Sequence, residues 1–210
     1  MDPSSGLIVI DMQNEFLSDT GSYSKNHVPN DVLVSNVRSL IRMFTSRDRP
    51  VIFIRAEYDS FTTEVRRPDK FTIGTHCGAN ACCAPGSDEA KIHPGISELI
   101  TRSARSSSPN GEVISNHPVI TKRWFSAFKE TNLKQVLENL GLKKIYFAGL
   151  KTNVCVYLSL IESLQYGYAA VIVSDCCAAT NIDKHNRALL LIQEAGGQVC
   201  VTNDLFGESQ

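Results

Sequence analysis

Six short apolar runs recur along the chain, and longer segments with apolar residues at helical spacing separate them. Each run is continuously apolar rather than alternating, which is typical of strands that are covered on both faces, as in a parallel sheet. The pattern therefore predicts six strands, at residues 6–11, 50–55, 118–122, 144–149, 169–175 and 197–201.

The segments between these runs show the period of amphipathic helices. After the first run, one helical face carries Leu33, Val37, Leu40, Ile41 and Phe44. Strands that alternate with helices predict an α/β fold, a doubly wound, mostly parallel six-stranded sheet with helices on both faces, in other words a Rossmann-like three-layer sandwich. Further helices are predicted at about 95–104, 129–140, 153–166 and 183–195.

The length of the chain favours a single domain. Open α/β sheets often reach this size without splitting, so residues 1–210 are predicted to form one domain. Residues 59–94 break the alternation of strands and helices. We expect this stretch to be a loop insertion within the domain rather than a linker between two domains.

Composition and charge exclude several classes of function. The chain has 21 basic and 22 acidic residues, a balance that does not point to nucleic acid or to an anionic membrane as a partner. Its seven cysteines are an odd number in a chain too large to need disulfides, so we expect reduced thiols. The first residues have no basic segment, and the apolar run after them is too short for a signal sequence or a membrane span. These features predict a cytoplasmic protein.

Three chemically active residues follow the ends of predicted strands. Asp11 ends the first run, Lys122 ends the third, and Cys155 begins the helix after the fourth. Ligands of open α/β sheets bind beyond the carboxyl ends of the strands, so we expect these side chains at one edge. There Asp11 can take the thiol proton and Lys122 can stabilise the thiolate, which a helix N-terminus also favours.

Each of these residues also has an ordinary structural interpretation. Asp11 can be a cap or loop residue, Lys122 can be a solvated lysine, and a single cysteine is more often a small buried apolar residue than a nucleophile. Their convergence on one sheet edge is what favours catalysis.

Three motifs strengthen this interpretation. Residues 7–16 read LIVIDMQNEF, residues 122–128 read KRWFSAF, and residues 149–156 read GLKTNVCV. In this order, and with the strand and helix pattern around them, they resemble the isochorismatase-like cysteine hydrolase superfamily.

The resemblance implies roles for particular residues. Asp11 resembles the general base of the family, Lys122 its catalytic lysine and Cys155 its nucleophile. A cis peptide bond without proline is implied at Leu150–Lys151, with the backbone N–H groups of Lys151 and Cys155 holding the oxyanion. The resemblance further implies a small-molecule substrate and a homodimer or homotetramer. No organic cofactor is predicted, because the sequence has no phosphate-cradling glycine loop: the glycines near strand ends, Gly149 and Gly167, occur singly.

Departures from subfamily patterns narrow the reaction. Nicotinamidases of this superfamily carry an Asp-x-His metal motif after the second strand, but residues 55–60 read RAEYDS, which disfavours a metal-dependent nicotinamidase. True isochorismatases usually lack the cysteine, so Cys155 favours hydrolysis of a C–N bond in a small amide, ureido or carbamoyl compound. Two alternatives stay open: hydrolysis of the isochorismate vinyl ether with Asp11 as the acid, and a binding module without turnover.

The substrate pocket is harder to predict. Arg55 or Arg123 is a candidate to hold a substrate carboxylate in a bidentate pair, and either is as easily a surface charge. Aromatic residues beside a sheet edge belong to the core at least as often as to a ligand site. The candidate pocket walls are Gln13, Phe16, Trp124, Phe128 and Tyr157.

The loop insertion carries a group of potential metal ligands, His76, Cys77, Cys82, Cys83 and His93. Adjacent cysteines and a five-residue separation do not match the spacing of tetrahedral zinc sites. We therefore predict no metal, and a loop with incidental thiols.

Two further features are predicted to be structural. Cys176 and Cys177 follow the fifth strand and are expected to serve packing. His185, on the next helix, is expected to be solvated.

Overall fold

The computed structural model describes residues 2–58, 82–103 and 117–206. Much of the predicted loop insertion, including His76 and Cys77, lies outside the described residues, and so do residues 104–116. The single-domain organisation of the chain accordingly stays a prediction.

Apolar runs and amphipathic segments form the expected elements. Within the described residues the strands are β1 (Ser5–Ile10), β2 (Val51–Ala56), β3 (Val119–Lys122), β4 (Lys144–Leu150), β5 (Ala169–Ala178) and β6 (Gln198–Cys200). The helices are α1 (Asn14–Leu17), α2 (Asn30–Thr45), α3 (Pro94–Ser103), α4 (Leu133–Asn139), α5 (Tyr157–Gln165), α6 (Ile182–Glu194) and α7 (Thr202–Phe206). A π-helical turn, Thr152–Val156, links β4 to α5 and is called the nucleophile turn below.

The strands form one sheet in the order β3-β2-β1-β4-β5-β6, and all five neighbouring pairs are parallel. The chain therefore winds outward from β1 in one direction and from β4 in the other, which confirms the predicted doubly wound α/β fold. None of the described helices has both the length and the apolar character that crossing a membrane requires.

Alternation along the strands sends side chains into a core on each face of the sheet. Leu7 and Val9 face α2 and α3, whereas Ile8 and Ile10 face α4, α5 and α6. Both faces of the central strands β1 and β4 are thus covered, which is why their apolar runs are continuous, whereas every second residue of the edge strand β3 is exposed.

Several predicted boundaries were wrong for local reasons. The helix predicted from residue 129 begins only at Leu133, because Glu130 has a left-handed φ of 55° and the Thr131 hydroxyl accepts the N–H of Leu133. Strand β5 extends through Cys176 and Cys177, which therefore lie in the strand and not after it; both are buried. The short helices α1 and α7 carry too few residues to show a helical period, and the pattern missed them.

Gly149 brings the ends of β1 and β4 unusually close together. It pairs with Ile10 and has a φ of 113°, a conformation that side-chain-bearing residues rarely adopt. A Cβ atom at this position would lie 2.0 Å from the carbonyl oxygen of Ile10. The strand ends that lead into Asp11 and the nucleophile turn are therefore positioned by the absence of a side chain.

We predict that Gly149→Ala lowers the free energy of unfolding by about 3 kcal/mol or more, since the clash is with backbone and adds to the φ penalty. Gly141→Ala is the control, because Gly141 also has a positive φ, 64°, but a Cβ atom added there would have no neighbouring atom within 4 Å. The control should lose only about 1–2 kcal/mol. Urea unfolding of both variants measures the difference, and equal losses would contradict the steric argument.

Candidate active site

Asp11 directly follows Ile10, the last residue of β1. Its backbone N–H donates to the carbonyl oxygen of Ile54 at 2.9 Å, which continues the contact between β1 and β2 by one residue. The chain then turns, with a φ of 51° at Asp11. The turn leaves the carboxylate only 1% exposed.

Lys122 is the last residue of β3 and is fully buried. It lies in register with Ala56 of β2, whose methyl side chain leaves room beside the long lysine side chain. The lysine Nζ reaches the Oδ2 atom of Asp11 at 2.8 Å. An ion pair between β1 and β3 thus spans the intervening strand.

Cys155 lies in the nucleophile turn, where its side chain is 6% exposed. Its Sγ atom is 3.4 Å from the Nζ of Lys122. The Ser159 hydroxyl donates to the carbonyl oxygen of Cys155 at 2.6 Å and accepts the N–H of Ala127 at 2.8 Å, so it ties this turn to the segment after β3. The structure therefore places the carboxylate of Asp11 and the thiol of Cys155 beside the ammonium group of Lys122.

The peptide bond between Leu150 and Lys151 is cis, at the position that the resemblance implied. It lies between the end of β4 and the nucleophile turn.

Burial opposes the thiolate form that Lys122 and a helix N-terminus favour at Cys155. Burial is the main cause that raises the pKa of this thiol to about 12, and the negative charge of Asp11 adds to it, although Lys122 acts in the opposite direction. Since Asp11 already neutralises Lys122, a thiolate would be a second anion beside one cation in a site with little water. Burial and this charge balance therefore favour the neutral thiol in the free protein.

The ion pair itself responds to the same burial. Loss of hydration raises the pKa of Asp11, with Lys122 opposing the shift, so the carboxylate is a stronger proton acceptor than an exposed aspartate. Burial also opposes the charge on Lys122, but the carboxylate of Asp11, 2.8 Å away, is the main opposing cause, and the pKa of the lysine lies well above its ordinary value. Lys122 thus keeps its charge and serves as an electrostatic centre.

Tyr58 completes the surroundings of Lys122, and the sequence pattern did not reveal it. Its hydroxyl oxygen lies 3.4 Å from the Nζ of Lys122, and its side chain is 3% exposed. Burial raises the pKa of Tyr58 well above its usual value, so the phenol stays neutral. A single tyrosine after a strand does not form a recognisable motif, so the position of Tyr58 beside Lys122 is visible only in the folded structure.

His185 was expected to be solvated, and the structure shows that this was wrong. The side chain is buried, and its Nδ1 atom is 2.9 Å from the hydroxyl oxygen of Thr152 in the nucleophile turn. Its ring stacks on that of His27 at a centroid distance of 4.5 Å. Burial, with a smaller effect of His27, lowers the pKa of His185 to about 4, so the histidine supports the turn as a neutral group.

The predicted pocket residues occupy different environments. The amide of Gln13 is committed to backbone, because it donates to Ala56 and Ala90 and accepts from the N–H of Ala56, each at 2.8 Å. Phe128 is buried against the ring of Tyr166, which follows the C-terminal end of α5. The nucleophile turn lies at the opposite, N-terminal end of α5. Phe128 therefore serves the core.

Phe16 and Trp124 pack together with Tyr58 in an apolar cluster next to the triad. Tyr157, at the start of α5, is partly buried and packs against the core on that face of the sheet. As pocket residues, Phe16, Trp124 and Tyr157 stay predictions.

Arg55, a candidate to bind a substrate carboxylate, already has partners within the protein. Its Nη2 atom pairs with Glu57 at 3.0 Å, and its Nε donates to the hydroxyl of Thr121 at 2.9 Å. Arg123 is exposed. A substrate carboxylate at Arg55 would have to compete with Glu57.

The described residues do not fit a metal centre. After β2 the carboxylate of Glu57 is bound by Arg55, and His93 Nδ1 accepts the N–H of Gly95. Cys82 and Cys83 are buried, with their Sγ atoms 4.0 Å apart. Within the described part of the chain, no three histidine, cysteine or acidic side chains are grouped to hold an ion. No step below depends on a metal.

Comparison with known proteins identifies the family of the chain. A family model described as the isochorismatase domain matches residues 5–204. The chain belongs to the isochorismatase family. This membership confirms the resemblance found in the three motifs, and Asp11, Lys122 and Cys155 all lie within the matched range.

Nicotinamidases are among the similar members of the isochorismatase family. Nicotinamidase 3 of Arabidopsis thaliana is 27% identical over 192 residues, which are 90% of this chain and 82% of that protein. The nicotinamidase of Escherichia coli is 25% identical over 224 residues and 99% of both chains. The crystal structure of nicotinamidase PncA from Bacillus subtilis matches 94% of this chain and 99% of its own, with a TM-score of 0.77 and 23% identity.

We predict that breaking the buried ion pair destabilises the protein strongly. Lys122→Met should cost about 3–5 kcal/mol, because it leaves the Asp11 carboxylate buried without its cation. The double variant Asp11→Asn with Lys122→Met should recover most of that loss. Lys134→Met is the control, since its pair with Glu138 is half exposed, with 3.6 Å between charged atoms, and should cost less than about 1 kcal/mol. Equal losses in urea unfolding for both lysines would refute the prediction.

We also predict that Cys155 alkylates as a thiol of high pKa. With a pKa of about 12, its rate with iodoacetamide should rise about tenfold per pH unit from about pH 7 to about pH 10, without a plateau. Peptide mass spectrometry measures the labelled fraction, with Cys155→Ser confirming the modified peptide. A plateau near neutral pH would show a resting thiolate.

Proposed function

We propose that this chain is a cysteine amidohydrolase that cleaves the C–N bond of a small amide, ureido or carbamoyl compound through a thioester on Cys155. The observation that carries the proposal is the position of one buried ammonium, Lys122 Nζ, 2.8 Å from a carboxylate oxygen and 3.4 Å from a thiol sulfur. A cation, a base and a nucleophile are thus assembled where water is scarce.

The first step is acylation of the sulfur. Asp11 takes the proton of the Cys155 thiol as the sulfur attacks the substrate carbonyl carbon, so that the growing negative charge moves from sulfur to the carbonyl oxygen. Lys122 remains charged throughout. While the proton passes from the sulfur to Asp11, its ammonium stabilises the negative charge on both groups.

The tetrahedral intermediate then collapses. Asp11 returns its proton to the leaving nitrogen, the C–N bond breaks, and ammonia or an amine departs. The backbone N–H groups of Lys151 and Cys155 are the proposed donors to the oxyanion, a contribution whose loss typically costs about 10²–10³ in rate.

Hydrolysis of the thioester repeats the sequence with water as the nucleophile. Asp11 takes a proton from water, the hydroxide oxygen bonds to the acyl carbon, and the C–S bond breaks. The sulfur regains its proton from Asp11, and the acid product leaves. The raised pKa of Asp11 suits both directions of proton transfer.

The similar proteins support an amide substrate. Those reported above include nicotinamidases of Arabidopsis thaliana, Escherichia coli and Bacillus subtilis, and a nicotinamidase by its name acts on an amide. The homodimer or homotetramer and the cytoplasmic location stay predictions, which size-exclusion chromatography with light scattering and cell fractionation would test.

We predict that Cys155→Ala lowers ammonia release from an accepted small amide by more than about 10³-fold, since the proposed acyl intermediate forms on its sulfur. Asp11→Asn should lower it to a similar degree. The control is Cys200→Ala in β6, which should stay within about twofold because, in the described sheet, β6 is the edge strand farthest from β3 and Lys122.

Two other outcomes would point elsewhere. Pyruvate release from isochorismate that survives Cys155→Ala and is lost in Asp11→Asn would favour vinyl ether hydrolysis over the thioester route. A panel of amides, ureido acids and isochorismate with no turnover at all would favour a binding module.

A further inference from the structure

Lys151 is a second lysine beside the nucleophile, and the mechanism above uses only its backbone. Its side chain turns away from the sheet toward the segment between α1 and α2, residues 23–26. The Nζ atom donates to the carbonyl oxygens of Tyr23 at 2.9 Å and Lys25 at 3.4 Å, and to the side-chain oxygen of Asn26. An ammonium group has three N–H donors, and all three have an acceptor on this one segment.

The segment that Lys151 holds borders the candidate active site. The ring centroid of Phe16, in α1, is 5.8 Å from the Nζ of Lys151. Phe16 and Tyr23 both pack against the cluster that contains Tyr58, whose hydroxyl contacts Lys122. Lys151 directly precedes the nucleophile turn, which contains Cys155.

We propose that the Lys151 side chain is a positioning residue, which fastens residues 23–26 to the nucleophile turn so that this segment forms a fixed wall of the substrate site. The inference rests on the proposed function for its kinetic consequence, but the fastening itself is a property of the fold.

The energetics favour a functional reason for this lysine. Burial lowers the pKa of Lys151 to about 8. Among the described residues it has no carboxylate partner, so its charge costs folding free energy. The cost is fully present below about pH 8 and disappears as the pH rises toward the ordinary lysine pKa of 10.5. A purely structural position would be filled at lower cost by an apolar side chain.

A second connection holds the same segment from the neighbouring residue. His27 donates its backbone N–H to the carbonyl oxygen of Ala179 at 2.8 Å and stacks on His185, which contacts Thr152. Loss of the Lys151 ammonium should therefore loosen residues 23–26 without releasing the whole connection.

The first arm of the test measures the segment directly. In Lys151→Met, amide hydrogen exchange of residues 23–26 should accelerate about tenfold, as expected for the loss of hydrogen bonds from a charged donor. Lys151→Arg keeps the charge and should exchange as the native protein does. Lys143→Met, an exposed lysine at the other end of β4, is the control and should change nothing. Repeating the measurement in Cys155→Ala makes this arm independent of any activity.

The second arm is kinetic and separates positioning from simple stability. In Lys151→Met, KM should rise about tenfold with a smaller fall in kcat, while Tm stays equal or rises, because the buried charge is gone. A fall in Tm that matches the loss of activity would indicate a structural role and overturn the proposal.

The third arm is the pH profile. The titratable and charged groups around the Lys151 ammonium are Cys155 on its own turn, Cys82 on the segment after β2, and Tyr23 and Lys25 on the held segment. The native KM should rise above about pH 8 as the ammonium is lost, and Lys151→Arg should keep its KM constant to about pH 10 because a guanidinium stays charged.

Unchanged exchange of residues 23–26 in Lys151→Met would refute the fastening whatever the enzyme hydrolyses. Altered exchange combined with full activity of Cys155→Ala would instead refute the proposed function and leave the fastening intact.

Discussion

The buried ion pair between Asp11 and Lys122 is the constraint on which the site depends. Two opposite charges with 1% and 0% exposure can be held in a fold only if each neutralises the other, because neither reaches water. The pair joins β1 to β3 across β2, so it requires those three strands to keep their register. It also decides the state of the thiol, since a lysine that already has a carboxylate partner leaves Cys155 neutral until a substrate arrives.

The geometry around the pair comes from small residues and from unusual backbone at strand ends. Gly149 lets β4 approach Ile10, Ala56 leaves room beside Lys122, and Asp11 takes a left-handed conformation as it leaves β1. The strands are regular and apolar up to these points, and the exceptions lie at the edge where the reactive groups meet. In an open α/β sheet the reactive side chains lie beyond the carboxyl ends of the strands, where the regular backbone ends.

Much of this arrangement was predictable from periodicity, because continuous apolar runs and helical spacing survive in any context. The six strands and the convergence of Asp11, Lys122 and Cys155 follow from that pattern and from the rule on strand ends. The environment of Tyr58 and the burial of His185 did not follow, since both depend on contacts between residues far apart in sequence. The same holds for the thiol of Cys155: its position on the chain favoured a thiolate, but the local charge balance and burial oppose it.

The central claim is that Cys155 carries the acyl group during turnover. Acid quenching of the protein during hydrolysis of an accepted amide, followed by peptide mass spectrometry, tests it most directly. The account predicts a peptide containing Cys155 that is heavier by the mass of the substrate acyl group, and that returns to its free mass once substrate is exhausted. Sustained turnover with this peptide always at its free mass, and with no hydroxamate formed when hydroxylamine is added, would contradict it.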